Sequence, residues 1–349
     1  MGMIKLPETS IKFFKSNLDE IFATGSLAEG PWNRALADFC LTYCGAKVAV
    51  PAVSNGSGLM ALLQIYANFK NRSHVLIQSN TMYGVKTLVK TAGLSVDASI
   101  RCSTKTLMPT VEDVEEAIKQ DKNNDSLIIL LSHIGGIVNP DIIEIAEICR
   151  EKNVVLLEDC AHSFGATLDG QHSGLFGDGG VYSFYATKAI PAGEGGIVVT
   201  NDEFIGKTLQ DYIIYDRFQQ KLDIGVNIRP SEVQALLMYS VAKEVEEIIS
   251  NKSKIANAYI KICKDLSIPF LCQSDDRHRG NYYKFILLSE ESNIDKELPN
   301  LETTTSKVYD YVLGESASIV NCHVCLPIWY RLEDDIVSKV IAELKESKK

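Results

Sequence analysis

The 349-residue sequence has no apolar run long enough to cross a membrane. Its most apolar stretch, residues 127–138, is short and contains His133, so it reads as a core element. Positive charge is not in excess: 35 Lys and Arg stand against 45 Asp and Glu, giving a net charge of −10. Nucleic-acid binding usually leaves a basic footprint, so this balance argues against such a partner. A local anion site is still compatible with it, because backbone amides and a few cations suffice. A disulfide scaffold is also missing. Nine cysteines, an odd number scattered from Cys40 to Cys325, are expected to be reduced thiols. Cys322-His323-Val324-Cys325 has no second ligand pair at a suitable spacing, so no metal site is expected there. Internal repeats and low-complexity tracts are lacking, and the first residues show no apolar signal segment. The expectation is a globular cytoplasmic protein.

What the sequence does have is concentrated in residues 154–202. An apolar run, Val154-Val155-Leu156-Leu157, reads as a buried strand and ends in two acids, Glu158 and Asp159. Open α/β sheets place their chemistry at the carboxyl ends of strands. A second run, Val181-Tyr182-Ser183-Phe184-Tyr185, delivers Lys188. A third, Ile197-Val198-Val199-Thr200, follows the turn Gly193-Glu194-Gly195-Gly196. A carboxylate and an amine thus stand just past strand ends. Pyridoxal phosphate needs such a pair: a lysine to link to its aldehyde, and an aspartate to keep the ring nitrogen protonated. Taken singly, a strand-end Asp is most often a helix cap and a lone Lys a solvated side chain.

Residues 8–23 and 32–44 carry apolar positions at helical spacing. A short strand at 47–50 leads into Ser54-Asn55-Gly56-Ser57-Gly58 and a helix over 59–69. Small residues before a helix offer free N–H groups and the positive end of its dipole to an anion. A plain tight turn explains the loop equally well. Strands are expected at 75–78 and 127–132, the latter ending at His133. Helices are expected at 111–119, 141–152 and 204–212, with one long helix over 231–264. Alternation of strands and helices through residue 200 implies βαβ units and a mostly parallel sheet. Short strands at 283–288 and 319–326 and a last helix over 332–345 complete the chain.

The ordered segments E-D-x-A-H-x-x-G-A, G-x-x-x-G-L-F-G-D, S-F-Y-A-T-K and G-E-G-G-I-V-V-T-N-D lie in this block, and Gly225 opens a further one, G-V-N-I-R-P-S-E-V-Q-A. This set resembles the DegT/DnrJ/EryC1/StrS family of sugar aminotransferases, closely from about residue 25 to 240 and loosely beyond. The resemblance implies an α/β chain of fold-type I. A large domain over 1–235 would hold a mostly parallel, seven-stranded sheet, and residues 236–349 a linking helix and a small α+β domain. It implies pyridoxal 5'-phosphate attached to Lys188, which doubles as the acid–base, with Asp159 at the ring nitrogen and His162 beside the ring. Gly56, Ser57 and Ser183 match residues that hold the phosphate. Asn227 and Arg229 match residues that reach across a homodimer toward the neighbour's cofactor and substrate. The ring-stacking aromatic of the family falls on Met82, with Tyr83 beside it, so either the Met82 sulfur or the Tyr83 ring would face the cofactor. Glu194 would hold the glycine turn, and His133 matches a strand-end His with a structural or a catalytic role.

The implied reaction moves an amine from an amino acid, usually glutamate, to a keto-deoxy sugar, usually nucleotide-linked, toward an amino sugar of a surface glycan such as O-antigen or of a secondary metabolite. A sugar dehydratase of the same fold would carry His in place of Lys188. A non-catalytic homologue would have lost Lys188, Asp159 or the phosphate loop, and all three are present.

Overall fold

Apolar runs become strands of one central sheet, and the helices between them cover its faces. A computed structural model describes residues 4–121, 124–215, 222–289, 293–314 and 318–349. Two helices come first, α1 (Glu8–Thr24) and α2 (Pro31–Cys44), the second closed by Gly45 in the left-handed conformation. Then β1 (Val48–Ala52), α3 (Asn55–Phe69), β2 (His74–Gln78), α4 (Tyr83–Thr91) and β3 (Ser95–Ile100) alternate. They are followed by α5 (Val111–Gln120), β4 (Leu127–Ser132), α6 (Ile142–Glu151) and β5 (Val155–Cys160). A hairpin of β6 (Thr167–Leu168) and β7 (Gln171–His172) precedes β8 (Gly179–Ser183), β9 (Gly196–Thr200), α7 (Glu203–Tyr212) and α8 (Glu232–Ala242). The rest holds α9 (Val245–Asp265), β10 (His278–Arg279), β11 (Phe285–Leu288), α10 (Ile294–Glu297), α11 (Ser318–Asn321), β12 (His323–Leu326) and α12 (Asp334–Ser347). No helix among the described residues is long and apolar enough to cross a membrane.

The seven-stranded sheet runs β1-β9-β8-β5-β4-β2-β3. Strands β3, β2, β4, β5 and β8 pair in parallel, while β9 is antiparallel to both its neighbours. The sheet is therefore mostly parallel, as the alternation of elements implied. Every residue of β4 and β5 is buried, which is why both read as continuous apolar runs rather than alternating ones. Their register sets Ser132 opposite Asp159 at the carboxyl edge. A second core, built on Tyr259, Phe285, Leu326, Val340 and Leu344, gathers α9, the β11–β12 pair and α12.

Three expectations need correction. The long helix over 231–264 is two helices, α8 and α9, with the break at Lys243-Glu244. Neither residue is a helix breaker; the change of direction lets Met238 and Val241 pack in the core with α2 while Tyr259 and Ile262 enter the second core. The strand placed at 319–326 begins only at His323, because the preceding residues form α11. The helix placed at 59–69 begins at Asn55, so Gly56 and Ser57 lie in its first turn. A capping box explains this earlier start: the Ser57 N–H donates to Ser54 Oγ at 3.1 Å, and the Ser54 N–H donates to Ser57 Oγ at 3.2 Å.

One buried carboxylate joins α2 to α8. Gly30 has no side chain to cap α2, and Glu232, fully buried, takes over that role. It accepts the Trp32 N–H at 2.7 Å, the Asn33 N–H at 3.2 Å and the Asn33 side-chain amide at 2.5 Å. Glu232→Ala leaves these donors unpaired and should destabilise the fold by about 2–3 kcal/mol. Urea unfolding of the variant beside the wild type checks this, and equal midpoints would remove the capping role.

Candidate active site

The site forms where β4, β5 and β8 end side by side. Asp159 is the penultimate residue of β5 and is 4% exposed. Burying a carboxylate is costly unless it is paired and hydrogen-bonded. Its Oδ1 accepts from Asn55 Nδ2 at 3.0 Å and from the Ala161 N–H at 3.1 Å, and its Oδ2 accepts from Ser132 Oγ at 3.3 Å. Asn55 is held in turn by donating to the Val181 carbonyl at 2.8 Å. Burial pushes the Asp159 carboxyl up from the usual carboxylate range, while the Lys188 charge pulls it down.

Lys188 sits in the turn after β8, its N–H donating to the Tyr185 carbonyl at 2.8 Å. The base of the turn is tied by Ala186 N–H to Gly193 carbonyl and Phe184 N–H to Gly195 carbonyl bonds, at 2.8 and 2.9 Å. Glycine is obligatory at 195: φ is +154°, and a Cβ would lie 2.2 Å from Met238 Sδ. Glu194 contributes its backbone here, its carbonyl accepting from Gln234 Nε2 at 3.0 Å. Burial lowers the Lys188 amine to about 8; Asp159 opposes the shift and Lys284 adds to it. Its Nζ lies 5.0 Å from the centroid of the Tyr283 ring.

His162 is 5% exposed, and its Nδ1 is a buried atom with no hydrogen-bond partner among the described residues. The ring stands 4.4 Å from Tyr283 and 6.1 Å from Tyr309, both centroid to centroid. Burial, reinforced by Lys188 and Lys284, holds its pKa well below the ordinary histidine range, so the imidazole is neutral. Ser183 ends β8 and is buried, its Oγ accepting the Tyr185 N–H at 3.3 Å. The first turn of α3 leaves the N–H groups of Asn55 and Gly56 without intrahelical acceptors.

Asp159, Lys188 and His162 are thus brought together. Met82 and Tyr83 stand at the start of α4, 43% and 60% exposed. The Met82 side chain folds back over Gly84, and the Tyr83 N–H donates to the Tyr311 hydroxyl at 2.6 Å. Asn227 and Arg229 pair with each other and with the segment before α2. Asn227 Oδ1 accepts the Arg229 N–H at 3.0 Å, and Arg229 Nε pairs with Glu29 at 3.0 Å.

His133 resolves as structural. Its Nδ1 accepts the Asn139 N–H at 3.0 Å and its Nε2 donates to Glu158 at 2.8 Å. Glu158 also accepts the N–H groups of Gly174, Phe176 and Gly177 at 2.7–2.8 Å, fastening the loop before β8. Cys160 lies near this pair, within 4.8 Å, but burial pushes its thiol well up and the carboxylate is already saturated. This donor set does not suit a metal. Asn55, Ser132, Tyr283 and Lys284 were not singled out from the sequence. Asn55 and Ser132 had a signal, since each lies at a strand or loop end that was recognised; Tyr283 and Lys284 reach the site only through the tertiary fold.

The arrangement fits pyridoxal phosphate. An amine lowered toward neutrality, a buried carboxylate, an unpartnered His162 Nδ1 and open amides at the α3 N-terminus are the groups its aldehyde, ring nitrogen, ring edge and phosphate require.

Comparison with known proteins agrees. Residues 9–345 match the model of the DegT/DnrJ/EryC1/StrS aminotransferase family. The chain is 28% identical over 257 residues to a GDP-perosamine synthase of Escherichia coli O157:H7, covering 71% of this chain and 67% of that one. It is 27% identical over 313 residues to a GDP-perosamine synthase of Vibrio cholerae, covering 82% and 83%. A DegT DnrJ EryC1 StrS aminotransferase from Brucella abortus shares the fold, with a TM-score of 0.86 at 20% identity over 100% of this chain and 99% of that one.

The environment of Lys188 has a direct consequence. Below about pH 8 its amine is protonated and unreactive, and above it the free amine appears. In cofactor-free protein, the rate of Lys188 acylation, followed by peptide mass spectrometry, should rise with a midpoint near 8. A midpoint near the ordinary lysine value of 10.5 would show that burial does not act on it.

Proposed function

The chain belongs to the DegT/DnrJ/EryC1/StrS aminotransferase family and is a pyridoxal-phosphate-dependent transaminase; we propose that it carries an amine from glutamate to a nucleotide-linked keto-deoxy sugar. The observation that carries the chemistry is the buried Asp159 set beside the amine of Lys188. The acceptor is inferred from the relatives, two of which are named GDP-perosamine synthase and one dTDP-3-amino-3,4,6-trideoxy-alpha-D-glucose transaminase. The product would feed an amino sugar of a surface glycan such as O-antigen.

When bound, the cofactor supplies an electron-withdrawing ring that acidifies the carbon bearing the transferred amine. Asp159, whose charged form its three donors and Lys188 favour against the effect of burial, would hold a proton at the ring nitrogen. The amides of Asn55 and Gly56, with the Ser57 and Ser183 hydroxyls, would hold the phosphate. His162, neutral, presents an Nδ1 able to bond the ring's oxygen. Met82 or Tyr83, at the start of α4, would cover the ring. Lys188 Nζ, lowered to about 8, takes the proton from the donor's α-carbon and later returns one to the acceptor.

Asn227 and Arg229 have a different place. We assign them to the site of a second copy in a two-fold homodimer, a reading supported by their match to the family residues that reach across the subunit interface. Two units make up each copy. Their join is best put at Lys243-Glu244 rather than at residue 235, since Met238 and Val241 of α8 lie in the core of the first unit. Nine free thiols support a cytoplasmic setting.

Purified enzyme given glutamate and a GDP- or dTDP-linked 4-keto-6-deoxy sugar should form 2-oxoglutarate and an amino sugar in equal amounts. Release of 2-oxoglutarate without an aminated sugar would overturn the acceptor. Asp159→Asn should lower kcat by at least about a thousandfold while Lys188 can still attach the cofactor. Mixing inactive Lys188→Ala with an inactive Arg229→Ala should restore activity in hybrid dimers. Sedimentation as a fully active monomer would rule out the shared site.

A further inference from the structure

A cavity of about 70 Å³ opens beside the Lys188 turn, between α9 and the segment that follows β12. Thr187, Lys188, Lys252, Tyr283 and Trp329 line it. Lys252 is 4% exposed. Among the described residues, burial and the Lys284 charge act on its amine, and no carboxylate or hydrogen-bond acceptor does. The charge that acts on it is repulsive: burial first, then Lys284, lower the amine to about 7. Its neighbours on α9, Ile248, Ile249 and Ala256, are core residues, so an apolar side chain would suit the position. A buried cation without a counter-ion destabilises a fold. The side of this amine that remains unfilled is the cavity.

The charge of the surroundings selects the ligand. Lys188 and Lys284 lie 5.0 and 5.9 Å from the Tyr283 ring centroid, and Lys252 lines the same cavity as Tyr283, in a chain whose net charge is −10. The cofactor phosphate is already provided for on another element, at the N-terminus of α3. The amine to be transferred must approach Lys188, and an amino-acid donor brings a carboxylate with it. We propose that Lys252 binds a carboxylate of the amino donor in this cavity, placing the donor's amine against Lys188. This rests on the glutamate donor proposed above.

Calorimetric titration of the cofactor-loaded enzyme tests it, with glutarate as an unreactive dicarboxylate and inorganic phosphate as a rival anion. Glutarate should bind, at least about tenfold more weakly to Lys252→Met and within about threefold of wild type to Lys252→Arg. The thermal midpoint of Lys252→Met should be equal to or above that of the wild type, which shows that lost binding is not lost folding. KM for glutamate should rise in Lys252→Met with little change in KM for the sugar. Equal glutarate affinity in wild type and Lys252→Met would overturn the subsite, and tighter binding of phosphate than of glutarate would make it a phosphate site instead. Glutarate held through Lys252 by an enzyme that does not deaminate glutamate would keep the carboxylate subsite and overturn only the donor.

Discussion

A carboxylate buried against an amine is the constraint on which the rest of this molecule depends. Asp159 is tolerable inside the protein only because three donors and one cation surround it. Each comes from a different element. Ser132 arrives through the β4–β5 register, Ala161 through the turn after β5, and Asn55 through the first turn of α3. Lys188 arrives on the turn between β8 and β9. The strand order that puts β4, β5 and β8 side by side is what allows them to converge. Glu158, one residue away and pointing to the other face, uses its own carboxylate to secure the loop that enters β8. Adjacent acids thus divide the work: one holds the scaffold and the other faces the chemistry.

The second core supplies the opposite wall. Residues preceding β11 carry Tyr283 and Lys284 to the site, and α9 brings Lys252. An acidic protein has concentrated cations here, two of them beside one ring. That arrangement costs stability, and it suits a transaminase whose cofactor carries a phosphate group. It also explains why Lys188 and Lys252 are both lowered toward neutrality: burial acts on each, and Lys284 adds repulsion.

Much of this was legible in the sequence. The strands β4, β5 and β9 were readable because burial on both faces leaves an uninterrupted apolar run, and Leu127–Ser132 matches residue for residue. Lys188 and Asp159 were readable because each follows such a run. The break between α8 and α9 was not, since Lys243 and Glu244 are ordinary helical residues and only packing against two separate cores bends the chain there. The early start of α3 was missed because Asn, Gly and Ser look like a loop until the Ser54–Ser57 capping box is seen. His133 was left open, and its role follows from Glu158, a partner that sequence spacing does not reveal. Tyr283 and Lys252 lie far along the chain, where no pattern marks them as neighbours of Lys188.

Two lowered lysines near one cavity make the identity of the attachment site the sharpest question. Borohydride reduction of the cofactor-loaded protein, followed by peptide mass mapping, answers it. The reduced cofactor should be found on Lys188, with the visible absorbance of the bound form lost on reduction. A label on Lys252, on Lys284 or on another lysine, or no label at all, would contradict the pairing of Lys188 with Asp159 on which the site is built.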